Sequence, residues 1–194
     1  MSTQIAPRDP VAPANWALWT IRLLTLAAAA VAGHLLWVSL VQGALPVGCG
    51  AGSGCADVLV SSWSRVLGMP VSAGALAVYA GVLVGSFLVT QPAGSSGQRA
   101  GWSLLVILAT VLAFSAVYFI GLQLAVIGAV CPWCMTDHAL GLIIAALVFW
   151  HLPRRVPSTS TTDGERGRFS PASILGLALV GSLLVSELVA AQMA

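Results

Sequence analysis

Five stretches of this chain are apolar over about 20 consecutive residues, the length an α-helix needs to cross a hydrocarbon core of ~30 Å. They run from Trp16 to Val41, Val71 to Thr90, Gly101 to Leu124, Cys134 to Leu152 and Pro171 to Ala191. Hydrocarbon offers no water to unpaired backbone N–H and C=O groups, so runs of this length are expected to be helices rather than strands. Composition agrees: 58% of the residues are hydrophobic and 7% are charged, far from the balance of soluble domains. The sequence therefore predicts an all-α integral membrane helix bundle. A net charge of +2 spread over scattered arginines excludes a nucleic-acid surface.

The basic residues orient the bundle. All eight are arginines. Arg8, Arg22, Arg99, Arg154, Arg155, Arg166 and Arg168 fall on one side of the predicted membrane, and Arg65 alone falls on the other. The positive-inside rule then predicts a cytoplasmic N-terminus and puts residues 42–70 and 125–133 outside. Arg22, inside the first span, is expected to snorkel toward the cytoplasmic headgroups. The first apolar run is too long for the core of a cleavable signal. The expected organisation is a cytoplasmic tail (1–15), a four-helix core (16–152), a cytoplasmic linker (153–170) and a fifth transmembrane helix (171–194).

All four cysteines, Cys49, Cys55, Cys131 and Cys134, lie in or beside the two segments expected outside. An oxidising compartment lets such thiols form disulfides, and four cysteines leave three pairings open. Cys49 and Cys55 sit in the glycine-rich "PVGCGAGSGC", which predicts a mobile, exposed pair. Cys131 and Cys134 sit in "CPWC" at the start of the fourth span. There a thiolate meets unpaired backbone N–H groups and the positive end of the helix dipole, which favours thiol exchange. Pro132 suits the first helical turn. Between the pairs, Val58, Leu59, Trp63, Val66 and Leu67 recur at helical spacing until Gly68 and Pro70. This predicts a short extracytoplasmic amphipathic helix lying on the membrane surface.

Blander readings apply to the same residues. The cysteines can be static staples in a membrane scaffold, or, with His138, a zinc site. A Cys-x-x-Cys at a helix start favours exchange over stapling. Asp137 and His138, one turn inside the fourth span, are either solvated at the interface or face a bundle cavity, where they would move protons or bind a polar ligand group. His34 is expected to be packed in the bundle with a hydrogen-bond partner. Trp16, Trp19, Trp102 and Trp150 fit an interfacial aromatic belt, and Gly74, Gly81 and Gly85 suit close helix packing.

Taken together, "GCGAGSGC", the following "SS", "LGMPVSAGALAVYAG" and "CPWC" resemble the bacterial vitamin K epoxide reductase homologues over residues 16–152. The resemblance implies a four-helix bundle around a quinone of the menaquinone or ubiquinone class. It makes Cys131 and Cys134 the inner redox pair, with Cys134 nearest the quinone, and Cys49 and Cys55 the outer shuttle pair, Cys55 relaying to Cys131. Ser61 matches a family serine near the active site, and Asp137 and His138 join Cys134 as candidate quinone-binding residues. Such a protein would oxidise an extracytoplasmic thioredoxin-fold partner in a bacterial inner membrane and so support disulfide formation in secreted proteins. Two departures are informative. No fused thioredoxin-like domain is expected in the residues after Leu152, which implies a separate partner. The asparagine and tyrosine of the animal epoxide-reducing enzymes are replaced here by Pro70 or a neighbour and by His138, which favours a quinone over an epoxide as the acceptor.

Overall fold

The computed structural model describes residues 15–41, 45–50, 53–66 and 68–151. The expected N-terminal tail up to residue 14, the linker and the fifth transmembrane helix lie outside the described residues. Four long helices carry the fold: α1 (Asn15–Leu40), α3 (Val71–Leu88), α4 (Ser96–Gly121) and α5 (Pro132–Trp150). A short α2 (Cys55–Val60) and a two-stranded ribbon, β1 (Arg65–Val66) with β2 (Met69–Pro70), lie between α1 and α3. Each long helix is long and apolar enough to span a membrane, so this is a multi-pass membrane protein.

Helix α1 packs on α3 and α5, and α4 packs on the same two. The four thus close a ring. Its core is built from Ala28, Ala32, Tyr79, Leu105, Ala109 and Ile144. Large side chains such as Leu23, Leu26, Phe114 and Val117 point outward and are exposed, as they must be where lipid replaces water. Bundles in lipid gain little from hydrophobic exclusion, so close van der Waals packing at small residues holds them. A Cβ at Gly101 would come within 2.7 Å of both Leu88 Cβ and the Val89 backbone nitrogen, and one at Gly85 within 3.0 Å of Leu105. Gly81 likewise faces Leu108, whereas Gly74 has nothing within 4 Å and takes no part in the packing expected of it.

Two boundaries differ from the sequence expectation. Helix α4 starts five residues before the apolar run. Ser95 caps it by accepting the Gln98 N–H at 3.1 Å, and Gln98 reaches back to the Gly94 N–H at 2.9 Å, a reciprocal arrangement of the capping-box kind. The single amphipathic helix expected over Val58 to Leu67 is instead α2, a 3-10 turn at Ser62–Ser64 and the β1–β2 ribbon. Ser61 leaves the helical conformation at ψ 151°, and its hydroxyl donates to the Val58 carbonyl at 2.7 Å. Serine side chains compete in this way for backbone groups that would otherwise continue a helix. Gly68, at φ +79°, turns the ribbon.

Arg22 reaches across to the last turn of α3. Its Nη2 donates to the Ser86 carbonyl at 2.8 Å and its Nε to Ser86 Oγ at 3.2 Å, and the guanidinium lies 4.1 Å from the Phe87 ring centroid. A cation at the C-terminal end of a helix satisfies an orphan carbonyl and opposes the dipole.

The packing contact predicts a contrast between two glycines. Gly101→Ala is expected to destabilise the bundle by roughly 1–3 kcal/mol through overpacking. Gly33→Ala, with open space around it, should be neutral or stabilising. Unfolding of both variants in detergent micelles checks this, and equal losses would refute the packing account.

Candidate functional site

The site begins with how α5 starts. Cys131 is its N-cap, with extended backbone, and Pro132 occupies the first helical position, where a missing N–H costs little. The Cys131 Sγ accepts the Cys134 backbone N–H at 3.3 Å and lies directly against the Cys134 sulfur. Both cysteines are free thiols. The Cys131 thiol is held below its usual range, first by the neighbouring Cys134 thiol and then by the Cys134 and Trp133 N–H groups, against the opposing effect of burial.

Cys131 is itself fixed from α4. After Gly121 the chain continues as one π-helical segment, Leu122–Ile127, which Gly128 ends at φ +68°. Within it Gln123, only 2% exposed, accepts the Cys131 backbone N–H on Oε1 at 2.8 Å. Its own carbonyl accepts the Ala129 N–H. One residue thus clamps both sides of the turn into CPWC. Single π-turns inside α-helices recur at functional sites.

Cys49 and Cys55 form a disulfide. The expectation of a mobile, exposed pair is corrected: Cys49 is 7% exposed and Cys55 is fully enclosed. Three features press this loop onto the bundle. The bridge itself closes it. Gly54, at φ +69°, lies so near the Ala129–Val130 backbone that a Cβ would come within 2.8 Å of the Val130 carbonyl oxygen. Trp133 Nε1 donates to the Val47 carbonyl at 2.9 Å. All four cysteines consequently share one small buried cluster with Val58. The disulfide also removes two of the thiolates that a zinc site would need, and among the described residues no group of three or more His, Cys, Asp or Glu is placed to hold a metal ion.

Below the cysteines, a cavity of about 420 Å³ opens between the helices and is lined by Cys134, Asp137, His138, Ser61, Tyr79 and Tyr118 among others. Asp137 is buried, and its Oδ1 accepts the Tyr79 hydroxyl at 3.0 Å. His138 stacks on Phe119, ring centroids 5.7 Å apart. Both therefore face the bundle interior. Ser61 reaches the cavity wall with its proton committed to Val58, which leaves it an acceptor. His34 is corrected too: its Nε2 is buried without a hydrogen-bond partner among the described residues, and its ring packs at 4.8 Å on Trp133.

Gln123, Tyr79, Tyr118 and Trp133 belong to this arrangement and were not assigned from sequence. Two of them had a signal: Gln123 is an amide in an otherwise apolar run before CPWC, and Trp133 lies between the two cysteines, where the sequence suggests an interfacial anchor. Tyr79 and Tyr118 are aromatic residues in apolar spans, where position decides between packing and chemistry.

The cavity suits a quinone, a flat apolar ring system with carbonyl oxygens. Its walls are mostly hydrocarbon, and the Tyr118 hydroxyl is buried there with no partner among the described residues.

Two cysteine pairs meeting at one end of an apolar four-helix bundle define a membrane disulfide oxidoreductase. The model of the vitamin K epoxide reductase family matches residues 16–149, which include all four cysteines and the four spanning helices almost end to end. The chain belongs to the vitamin K epoxide reductase family. Its members use quinone-type electron carriers and generally work with a thioredoxin-like protein. No curated protein matches the chain in a sequence search.

Two results are expected. The thiolate ultraviolet absorbance of the protein should titrate below the ~8.5 of an ordinary thiol. Cys134→Ala, which removes the thiol lying against Cys131, should move that midpoint upward toward the ordinary value, and an unmoved midpoint would contradict the assignment. Gly54→Ala combines a left-handed φ with a backbone clash, worth roughly 1–3 kcal/mol of strain. It should lift the loop, seen as faster reduction of Cys49–Cys55 by a soluble dithiol.

Proposed function

We propose that this protein oxidises an extracytoplasmic thioredoxin-fold partner and passes the electrons to a membrane quinone of the menaquinone or ubiquinone class, thereby supporting disulfide formation in secreted proteins. The observation that carries this reading is that one dithiol faces two ways. Cys131 shares a buried cluster with the Cys49–Cys55 disulfide, while Cys134 lines the cavity.

The cycle is a sequence of thiol–disulfide exchanges, each through a mixed disulfide. A partner thiolate attacks Cys49 and displaces the Cys55 thiolate. The partner's second thiol then releases Cys49, so the partner leaves oxidised with Cys49 and Cys55 as a dithiol. Cys55 attacks Cys131 of the oxidised inner pair and displaces Cys134, and Cys49 resolves the intermediate. The outer disulfide and the inner dithiol that result are the state described here. Bound quinone supplies the acceptor for two electrons and two protons. For the inner pair to close to a disulfide, the Cys134 proton must leave its sulfur. Asp137 is one turn along the same helix, and its Oδ1 is held by Tyr79, which leaves Oδ2 to receive that proton. His138 and Ser61 add polar groups to the same cavity. The CPWC pair need not be strongly oxidising, because an acceptor poised only ~30 mV higher already contributes about 1.4 kcal/mol.

The resemblance to bacterial homologues favours a bacterial inner-membrane location, and the arginine pattern supports an orientation with the N-terminus cytoplasmic and the cysteine end outside. In this reading the partner is a separate protein, and residues 16–152 form the redox core, followed by a linker and a fifth transmembrane helix.

Anaerobic mixing of the purified protein with a reduced thioredoxin-fold protein and a soluble quinone analogue tests the reading. Wild type should form quinol, and Cys134→Ala should not, while both keep the same helical circular dichroism. If wild type formed none, and its Cys49–Cys55 bridge resisted the partner, the cysteines would be staples instead.

A further inference from the structure

We propose that Tyr118 is the hydrogen-bond donor by which the cavity recognises a carbonyl oxygen of its ligand, a role that rests on the reading of this cavity as the quinone's place.

Most buried hydroxyls of the chain find a carbonyl or carboxylate close by, the exception besides Tyr118 among the described residues being Ser53 Oγ in the outer loop. Ser115 donates to Val111 O at 2.7 Å, Thr110 to Val106 O at 2.8 Å and Ser39 to Leu35 O at 2.7 Å. Ser61 and Ser64 donate to carbonyls three residues back, and Tyr79 donates to Asp137. Small hydroxyls return to their own helix in this way because no water is at hand. Tyr118 cannot: its oxygen lies at the far end of a rigid ring, too distant from the backbone that carries it. That oxygen is enclosed, has no partner among the described residues, and belongs to a side chain lining the cavity.

A buried donor left unpaired costs the desolvation of the group, so a native orphan calls for an explanation. The ring is also steadied, edge-on to Phe119 with centroids 5.2 Å apart, and Phe119 in turn stacks on His138. Tyr118 is therefore a fixed donor in a mostly hydrocarbon wall. The ligand that fits is an apolar ring bearing an acceptor oxygen. Tyr118 comes from α4, whereas Cys134, Asp137 and His138 come from α5, so the ligand would be held between two helices.

Binding tests this without turnover. The full-length protein in micelles, wild type and Tyr118→Phe, is titrated with 1,4-naphthoquinone and with naphthalene, its carbonyl-free counterpart, following tryptophan fluorescence; Trp63 lines the cavity. Loss of one neutral hydrogen bond should weaken naphthoquinone binding about fivefold and leave naphthalene unchanged. The ligand-free melting temperature should not fall, because the variant removes an unpaired hydroxyl rather than a bond. Unchanged naphthoquinone binding, or equal losses for both ligands, overturns the proposal. If naphthoquinone binds wild type no better than naphthalene does, the quinone reading fails and takes this proposal with it. An independent check needs no variant: the infrared carbonyl stretch of naphthoquinone bound to wild type should lie below its value in alkane, and an unshifted band overturns the assignment.

Discussion

The first turn of a helix leaves backbone N–H groups without partners inside the helix, and the cysteine end of this protein is organised around how α5 meets that constraint. Pro132 removes one donor, Gln123 takes the Cys131 N–H, and the Cys131 sulfur takes the Cys134 N–H. The last of these solutions is also chemistry. A sulfur that accepts backbone N–H bonds at the positive end of a helix dipole is a better anion than an ordinary thiol. The same atoms that terminate the helix therefore set the reactivity of the pair.

The outer loop follows from that end. Its disulfide would be a loose attachment if the loop moved freely, yet Gly54 against Val130 and Trp133 against Val47 bring both cysteines to the mouth of α5. Trp133, the residue between the inner cysteines, thus touches the loop that carries the outer ones. In the proposed relay this contact keeps the two pairs within one buried cluster, where exchange needs only short movements of sulfur.

Much of this was legible in the sequence. Length and hydropathy marked the four described spans, because the thickness of hydrocarbon is a nearly fixed ruler. Pro132 and the cysteine spacing marked the start of α5, because helix termini have local rules. The stretch after Cys55 was misread for an equally local reason. Apolar spacing from Val58 onward suggested one helix, while Ser61 and Gly68 broke it into a turn and a ribbon. The glycine-rich loop was misjudged because glycine permits many conformations and sequence does not say which tertiary contact selects one.

By itself, then, the sequence determined that this chain is a membrane helix bundle with four cysteines near one face, since those properties depend on composition and on neighbours a few residues apart. Only the tertiary structure decided that Gln123 reaches Cys131, that Tyr79 holds Asp137, and that the Tyr118 hydroxyl is left without a partner among the described residues. The reason is physical. The Tyr79–Asp137 contact joins residues 58 apart in the chain, and Tyr118 is isolated by what the neighbouring helices do not offer it. Whether a buried polar group is paired depends on how the ring of helices closes, which no local pattern encodes.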